Sequence, residues 1–226
     1  MLAQYCANVQ DMVWRDSADK ALTDYARPSI AVDVAVLTVE DDQLKVVVVD
    51  SDRGPSLPGT FLHPGETLRD AAARALQTKA GLTGLDFHQL GMYDNPDRDD
   101  RGWVLSMAHG AAVARIALPD DVQLAEIDDT TVHGPLAFDH SAMVTQAVDD
   151  LRRRYTNDSA DPDHLLPQQF TLLELRRLHE TIFARDFPKD TFRRRMIDTL
   201  EGTGERSSAE TGRPAELFRR ASQNYR

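Results

Sequence analysis

The 226-residue sequence predicts a two-domain protein, in which an α/β (α+β) domain built on a mixed sheet precedes a small domain of helices and a terminal hairpin. Three observations support this fold class. β-Branched runs alternate with helical segments in residues 27–157, and amphipathic helices replace most strands in residues 164–226. A polar run with a proline, residues 155–163, separates the two parts. Residues 1–26 are expected to form an N-terminal extension, either an arm between subunits or a frayed tail.

Composition places the chain among ordinary globular proteins. Hydrophobic residues make up 41% of the chain and charged residues 28%, a balance that excludes disordered and fibrous classes. No apolar run reaches about 18 residues, the length that a membrane-spanning helix needs. The first residues lack the pattern of a secretory signal, and Cys6 is the only cysteine, so no intrachain disulfide can form. A cytoplasmic location is therefore expected.

The formal net charge of −11 argues at first against a nucleic-acid partner, because binding to phosphates relies on Lys and Arg. This average conceals a gradient along the chain. Residues 1–163 carry 14 basic and 28 acidic side chains, a net of −14, whereas residues 164–226 carry 12 and 9, a net of +3. Only the C-terminal part therefore has the charge to dock on a polyanion.

The strands of the first domain are predicted from β-branched runs. Residues 30–39 and 44–50 are such runs, and the short polar turn between them predicts a hairpin. Their near-continuous apolar content indicates that both faces of the strands are covered. After a Gly/Pro-rich loop and a helix, residues 87–93 and 103–116 predict two more strands, separated by a charged loop.

Two helices of the first domain are predicted from their caps. Thr67, with an acidic residue three positions later, forms a capping box in front of a helix over residues 68–80. A later helix is expected to begin with Asp139 or Ser141 as its N-cap and to extend to about residue 154.

The second domain is predicted to contain a helix, a turn, a basic helix and a hairpin. Residues 172–183 place their apolar side chains on one helical face. Asp190 is the expected N-cap of a helix over residues 191–198, which holds three consecutive arginines. Residues 200–206 and 213–220 then predict a two-stranded wing. This layout is that of a winged helix-turn-helix, which places its second helix in the major groove of DNA.

Candidate DNA contacts lie on the basic helix and the wing. They are Thr191, Arg193, Arg194, Arg195, Arg206 and Arg213. Arginine side chains can bond to guanine edges and phosphates. Because consecutive helical residues point about 100° apart, at most two of the three adjacent arginines are expected to face DNA. The alternative stays open that these arginines only solvate the helix, one of them paired with Asp190 or Glu174.

Residues 57–82 resemble the Nudix box, G-x5-E-x7-R-E-U-x-E-E-x-G-U, where U is a bulky aliphatic residue. Glu66 and Arg74 stand at the first Glu and the Arg of that pattern. The three remaining Glu positions hold other residues, namely Ala75, Thr78 and Lys79. The resemblance implies that active members hold divalent cations with these carboxylates. A methyl group, a hydroxyl and an ammonium cannot replace them, so no catalytic residue, metal ligand or required cofactor is expected.

Three residues of the box have an open role. Lys79 is a candidate to place a fixed cation where a metal would sit, and the alternative is an ordinary solvated lysine. Glu66 and Arg74 are expected to form a structural ion pair in preference to a metal site.

The charged loop, residues 95–106, is similar to the P-x-R-D-x-R-G-x-x-x-S stretch of one Nudix subgroup, the Nudix-related transcriptional regulators of NAD metabolism (NrtR). The Arg and Asp side chains of this loop can hold a diphosphate and a ribose, since guanidinium groups match phosphates and carboxylates accept from hydroxyls. A solvated turn with a local ion pair is the alternative. The candidate nucleotide contacts are Arg53, Glu66, Lys79, Arg98, Asp99 and Arg101.

Three phrases typical of the same subgroup follow in order, at residues 170–175, 192–195 and 212–219. The resemblance implies a Nudix-type mixed-sheet sandwich followed by the winged helix. It also implies a homodimeric repressor of NAD biosynthesis or salvage genes that binds double-stranded operator DNA. The expected effector is ADP-ribose or a related NAD-derived nucleotide, and no membrane partner is expected.

Two alternatives remain open at this point. An active Nudix hydrolase of ADP-ribose-like nucleotides with an accessory C-terminal domain needs metal ligands outside the box, such as Glu66 with Asp94, Asp97 or Asp99. The other alternative is a non-catalytic adaptor whose basic tail binds protein. The missing box carboxylates favour the repressor.

Overall fold

The computed structural model describes residues 14–156, 159–207 and 214–221. The first domain is built from β1 (Ser29–Glu40), β2 (Gln43–Val47), β3 (Val49–Ser51), β4 (Gly54–Ser56), β5 (Gly59–Phe61), α1 (Leu68–Ala80), β6 (His88–Tyr93), β7 (Val104–Ala112), β8 (Leu124–Asp128), β9 (Thr131–Val132) and α2 (His140–Tyr155). The second is built from β10 (Phe170–Thr171), α3 (Leu172–Phe183), α4 (Lys189–Met196), β11 (Leu200–Arg206) and β12 (Glu216–Arg220). The predicted fold class, an α/β domain followed by a winged helix, is confirmed.

The central sheet of the first domain is mixed, as predicted. Its strand order is β6-β7-β1-β2-β8-β9, and β5 also pairs with β1. Strands β1 and β7 run parallel, with Ser29 opposite Val104 at one end and Leu37 opposite Ala112 at the other. The other pairs in this sheet are antiparallel.

Strand β1 shows why the domain is a sandwich. Val32, Val34 and Val36 lie in the core cluster that includes α1, whereas Ala35 and Leu37 lie in the cluster that includes α2. Successive side chains of a strand point to opposite faces. One helix therefore covers each face of the sheet, which explains the continuous apolar run in the sequence.

Two strand predictions were too long. The run 44–50 divides into β2 and β3, and β3 leaves the sheet to pair with β4. The run 103–116 ends at Ala112, and residues Arg115–Ala117 form a 3-10 turn. The Arg115 guanidinium stabilises this turn, since it donates to Glu40 at 2.6 Å and to the Leu118 carbonyl at 3.2 Å.

The predicted hairpin and the first predicted helix are confirmed. Asp41 and Asp42 both have positive φ, 54° and 57°, as a two-residue turn between antiparallel strands requires. Helix α1 spans the predicted residues, and the hydroxyl of Thr67 accepts a hydrogen bond from the backbone N–H of Asp70. Gly81 ends the helix with φ of 67°.

Helix α2 begins after Asp139, one of the two predicted caps, but the Asp139 side chain makes no capping hydrogen bond. Its carboxylate accepts instead from the guanidinium of Arg98. The charged loop therefore holds the start of α2, and the helix extends to Tyr155.

The winged helix differs from its prediction in the bounds of α4 and of the second wing strand. Helix α4 begins at Lys189 with Pro188 as N-cap, so that the predicted cap Asp190 lies in the first turn. Leu200 begins strand β11 and is half-buried. The second wing strand is β12, which pairs with β11 and with β10. The tip, with Gly212 and Arg213, lies outside the described residues.

The two domains share an apolar junction. Leu178 and Ile182 of α3 belong to the same core cluster as Leu151 and Tyr155 of α2. Asp161, within the predicted linker, is buried. Asp161 is therefore part of the junction between the domains. No helix in the described part of the chain has the length and apolar character needed to cross a membrane.

The junction of α2 with the sheet provides a test of the core. Met143 is 0% exposed, so Met143→Ala is expected to lower the free energy of unfolding by about 2–5 kcal/mol, through lost burial and the cavity that remains. Urea denaturation measures the change. Ile116→Ala, at a side chain that is 94% exposed, is the control and is expected to cost less than about 0.5 kcal/mol. Equal effects would contradict this packing.

Candidate nucleotide site and nucleic-acid interface

A cavity of about 280 Å³ lies in the first domain, between residues of β1, β3 and β5, the end of α1, the charged loop and the start of α2. Four of the six predicted nucleotide contacts line it, namely Lys79, Arg98, Asp99 and Arg101. Arg53 and Glu66 do not. The sequence motifs therefore converge on one cavity, although their side chains have different environments there.

Arg98 lies at the bottom of this cavity and is 4% exposed. Its Nε and Nη2 atoms donate to the two oxygens of Asp139 at 2.9 and 2.6 Å, and Asp33 lies 3.9 Å away. Burial disfavours the charge of Arg98, but the neighbouring carboxylates outweigh this effect and raise its pKa. Arg98 was predicted to bind a diphosphate, and the structure shows that it also anchors α2.

Asp33 organises the neighbouring wall of the cavity. It accepts a hydrogen bond from the Ser106 hydroxyl at 2.5 Å, and the Nε2 atom of His140 lies 3.4 Å from its other oxygen. The Nδ1 atom of His140 accepts from the Leu57 N–H at 3.0 Å, so the ring proton lies on Nε2. A Cβ on Gly59 would lie 1.9 Å from Asp33 Oδ1, which explains the glycine at this position.

Sequence reasoning missed Asp33, His140 and Phe138. The only local signal for Asp33 is a carboxylate inside an apolar strand. Phe138 has φ of 55°, which is unusual for a bulky residue. Such strain persists only where the surroundings impose it, and it is frequent at ligand sites. Phe138 and His140 flank the residue that Arg98 binds, so the same contact positions both of them in the cavity wall.

Arg101 and Asp99 form a local ion pair. Arg101 donates from Nε and Nη2 to the two Asp99 oxygens, at 2.9 and 2.7 Å. The hydrogen bonds from Arg101 lower the pKa of Asp99 to about 2. Asp99 is 2% exposed, so its predicted contact with a ribose requires Arg101 to move. The ion pair that was the alternative interpretation of this loop is present.

Two aromatic rings accompany the arginines. The guanidinium of Arg101 lies 5.5 Å from the Phe61 ring centre and 5.1 Å from that of Phe138. Arg53 lies 5.4 Å from the Phe138 ring and pairs with Asp100 at 2.7 Å. Arg53 therefore supports the cavity wall without lining the cavity. The flat guanidinium of Arg101 beside two rings forms a stacking surface of the kind that a nucleobase uses.

The box helix confirms one alternative for Glu66. Its two oxygens accept from Arg74 Nε and Nη2 at 2.7 and 2.8 Å, and the hydrogen bonds from Arg74 lower the pKa of Glu66 to about 2. Arg74 also donates to the Thr60 hydroxyl at 3.0 Å. Glu66 thus braces the loop against α1, and the structure does not place it at the cavity as a nucleotide contact.

The other box positions carry no carboxylate. Ala75 is 0% exposed and packs in the core. The Thr78 hydroxyl donates to the Arg74 carbonyl at 2.7 Å. Lys79 is exposed, lines the cavity and makes no ion pair with any residue of the described ranges. The cavity thus offers one free ammonium, guanidinium groups and two rings, which match a phosphate and a base. Among residues 14–156, 159–207 and 214–221, no cluster of three or more His, Cys, Asp or Glu could hold a metal.

The basic helix α4 presents Thr191, Arg193 and Arg194 to solvent. Arg194 Nε lies 3.4 Å from the Asp190 carbonyl oxygen. Arg195 is also exposed, but its Nη2 donates to the Thr156 carbonyl at 3.0 Å, at the end of α2. Arg195 is thereby turned toward the first domain. Arg193 and Arg194 are thus the two arginines of this helix that stay candidates for contact with DNA.

The wing contains fewer candidate DNA contacts within the described residues. Arg206 is exposed at the end of β11, where it leads into the tip of the wing. Arg213 lies outside the described residues. The nearby Arg219 is 60% exposed and pairs with Glu201 at 2.7 Å, and sequence reasoning did not select it.

The fold and the two surfaces define a Nudix-type domain joined to a DNA-binding winged helix. Family models match both parts: the NUDIX domain over residues 29–145 and the NrtR DNA-binding winged helix domain over residues 162–220. Helix α2 continues beyond the matched NUDIX range, to Tyr155.

Known relatives match the whole chain or the first domain. The chain is 32% identical over 217 residues to the ADPR responsive transcriptional repressor NtrR of Acinetobacter baylyi, which covers 90% of this chain and 86% of the relative. The crystal structure of Shewanella oneidensis NrtR complexed with a 27mer DNA is similar with a TM-score of 0.69 and 30% identity, over 84% of this chain and 93% of that one. The ADP-ribose pyrophosphatase of Methanocaldococcus jannaschii is 33% identical over 127 residues, covering 53% of this chain and 73% of the relative. The chain belongs to the NrtR family of transcriptional regulators.

The Asp99 ion pair predicts a pH-dependent stability. Its folded pKa of about 2 lies below the ordinary 3.8, so the fold favours the ionised form. That stabilisation is complete above about pH 5 and is lost as pH falls through 3.8 toward 2. Asp99→Asn is therefore expected to destabilise the protein at pH 7 and to have a smaller effect near pH 3, measured by urea denaturation. Asp97→Asn on the same loop is the control. A difference between Asp99→Asn and the wild type that is equal at both pH values would contradict the assignment.

Proposed function

We propose that this chain is a transcriptional repressor that binds operator DNA through α4 and the wing, and that ADP-ribose or a related NAD-derived nucleotide in the cavity releases the DNA. The observation that carries the proposal is the cavity in the first domain. It is lined by Lys79, which has no ion-pair partner among the described residues, and by the rings of Phe61 and Phe138, and the same chain carries a winged helix domain. The Acinetobacter baylyi relative, whose name describes an ADPR responsive repressor, supports the same function. The proposed targets are genes of NAD biosynthesis or salvage, and the proposed location is the cytoplasm.

The ligand chemistry follows from charge. Arg98 and Asp99 have strong partners, whereas Lys79 has none among the described residues. A diphosphate brings two negative charges, and an ammonium without a competing carboxylate is the group best able to meet them. In this proposal Lys79 contacts the diphosphate and the rings of Phe61 and Phe138 receive the base.

We further propose that the Nudix domain does not hydrolyse its ligand. Diphosphate hydrolysis in this fold class depends on metal-bound water, and the metals need oxygen ligands. Ala75 and Lys79 supply none, and the Thr78 hydroxyl already donates to the helix backbone. The alternative ligand Glu66 has both oxygens bonded to Arg74. The rival function, an ADP-ribose hydrolase, is favoured only by the similarity of the first domain to the archaeal pyrophosphatase.

The DNA-binding side follows from the distribution of charge. The net charge of +3 lies in residues 164–226 and the net of −14 in residues 1–163. The acidic domain repels DNA from other orientations, and the basic helix is left as the docking face. We propose a homodimer whose two α4 helices read half-sites about 34–36 Å apart. Bound nucleotide would change that spacing.

Lys79→Ala is expected to weaken ADP-ribose binding about tenfold, because the diphosphate loses a charge-assisted contact. Isothermal titration calorimetry without divalent cations measures the affinity. Gln77→Ala, an exposed residue of the same helix, is the matched control and is expected to bind like the wild type. Incubation of the wild type with ADP-ribose and Mg²⁺ or Mn²⁺ is expected to release no AMP. Turnover would support the hydrolase instead, and unchanged binding by the Lys79 variant would remove its proposed role.

Arg193→Ala and Arg194→Ala are each expected to weaken binding to the promoter of the protein's own gene about tenfold. A phosphate contact would also lower the salt dependence of binding by about one unit of slope. Fluorescence anisotropy at several salt concentrations measures both quantities. Arg69→Ala, in the first domain, is the control. If ADP-ribose leaves the wild-type complex intact at saturating concentration, the sensor function is wrong.

A further inference from the structure

We infer that Tyr155, at the end of helix α2, is the positioning residue that couples the nucleotide cavity to the winged helix. The inference rests on the proposed function, since it concerns the path by which a nucleotide acts on DNA binding. Its basis is the placement of the two ends of α2: one end forms part of the cavity, and the other is buried against α3 and bonded to Asp161 of the interdomain segment.

The N-terminal end of α2 is tied to the cavity wall. Arg98 binds Asp139, the residue that precedes the helix. His140, the first residue of the helix, accepts from the Leu57 N–H and lies beside Asp33. A ligand that fills the cavity meets these same side chains. Any adjustment that it requires of Arg98 or His140 is therefore imposed on the start of α2.

Helix α2 is built to move as one body. Its 16 residues span about 24 Å, at about 1.5 Å per residue. The residues that face the sheet are almost completely buried, namely Met143, Val144, Ala147, Val148 and Leu151. A close-packed interface of this kind transmits a displacement because it has no free volume to absorb it. A change at the cavity is thus carried to the far end of the helix.

The Tyr155 hydroxyl joins that far end to the wing. Tyr155 is 0% exposed, and its hydroxyl donates to Asp161 Oδ1 at 2.7 Å. The other oxygen of Asp161 accepts from Arg220 of β12, and Asp161 also accepts from the Leu165 and Leu166 N–H groups. One buried carboxylate therefore receives hydrogen bonds from the sensor helix, the interdomain segment and the wing.

The Tyr155 ring joins the same end to the recognition helix. It meets the His179 ring edge-on at 5.3 Å, and His179 meets the Phe192 ring of α4 at 5.2 Å. His179 is 1% exposed, and its Nε2 lies 2.8 Å from the Ala160 carbonyl oxygen. Tyr155 is thus linked to the wing through Asp161 and to helix α4 through His179.

Apolar packing at the junction does not explain why residue 155 carries a hydroxyl group. A phenylalanine would fill the same apolar junction, and a buried hydroxyl is tolerated only where it finds a partner. The hydroxyl of Tyr155 adds a directional bond to Asp161. This bond fixes the orientation of the wing relative to α2, whereas apolar contacts alone allow small rotations at little cost.

Tyr155→Phe tests the inference, with Tyr93→Phe as the matched control. The Tyr93 hydroxyl also bonds to α2, at Gln146 Oε1 and 3.0 Å, but it does not reach the second domain. Three quantities are measured for the full chain: the Kd for ADP-ribose, the Kd for operator DNA, and the ratio of the DNA Kd values with and without saturating ADP-ribose. The ratio measures the coupling, which a purely structural residue would leave unchanged.

We expect Tyr155→Phe to keep both separate affinities within about threefold of the wild type and to reduce the coupling ratio about fivefold to tenfold. Tyr93→Phe is expected to retain the wild-type ratio. A normal ratio in Tyr155→Phe overturns the inference while the proposed function stands. Joint loss of ADP-ribose and DNA binding also overturns it, because the residue then serves stability alone. A wild-type chain without any ADP-ribose response overturns the proposed function first, and the inference with it.

Discussion

The buried ion pair between Arg98 and Asp139 is the contact on which the rest of the structure depends. Arg98 is 4% exposed, and removal of one partner of a buried pair typically costs about 3–5 kcal/mol, because the other charge is left without compensation. The pair holds the charged loop against the start of α2, and it occupies the carboxylate that would otherwise cap the helix. Phe138 and His140 are thereby placed in the cavity wall. The loop motif of the sequence thus lines the cavity and also anchors the helix that reaches the second domain.

In the Nudix-type domain of this chain, the box positions that carry metal-binding glutamates in the family pattern hold other side chains. Ala75 contributes to the core, Thr78 bonds to its own helix and Lys79 faces the cavity. A fixed ammonium attracts a diphosphate as a metal does, but it does not generate hydroxide. In the proposed function a few side chains on a common scaffold turn the domain into a receptor, and the binding energy of the nucleotide is then available to shift the DNA-binding domain.

The distribution of charge and the packing at the domain junction both bear on how the second domain is presented to DNA. The acidic domain and the basic domain differ by 17 units of formal charge, −14 against +3, so only one face of the molecule suits DNA. The junction between them is apolar at its centre, with Leu151 of α2 against Leu178 and Ile182 of α3. Arg152 and Arg195 add hydrogen bonds to backbone carbonyls at its edge. A junction of this kind passes a change of orientation from one domain to the other without separating them.

Local signals in the sequence were sufficient for helices α1 and α3. The capping box at Thr67 and the apolar face of residues 172–183 located these helices to the residue, because caps and helical faces are set by residues close together in the chain. The site was predictable only in part. Lys79, Arg98 and Arg101 carry recognisable motifs, but the burial of Arg98, the position of Glu66 outside the cavity, and the contributions of Asp33, Phe138 and His140 depend on segments far apart in sequence. The three-dimensional fold alone brings β1, the charged loop and the start of α2 together. Burial and partner choice are set by such long-range contacts, whereas periodicity and caps are set by residues within a few positions of each other.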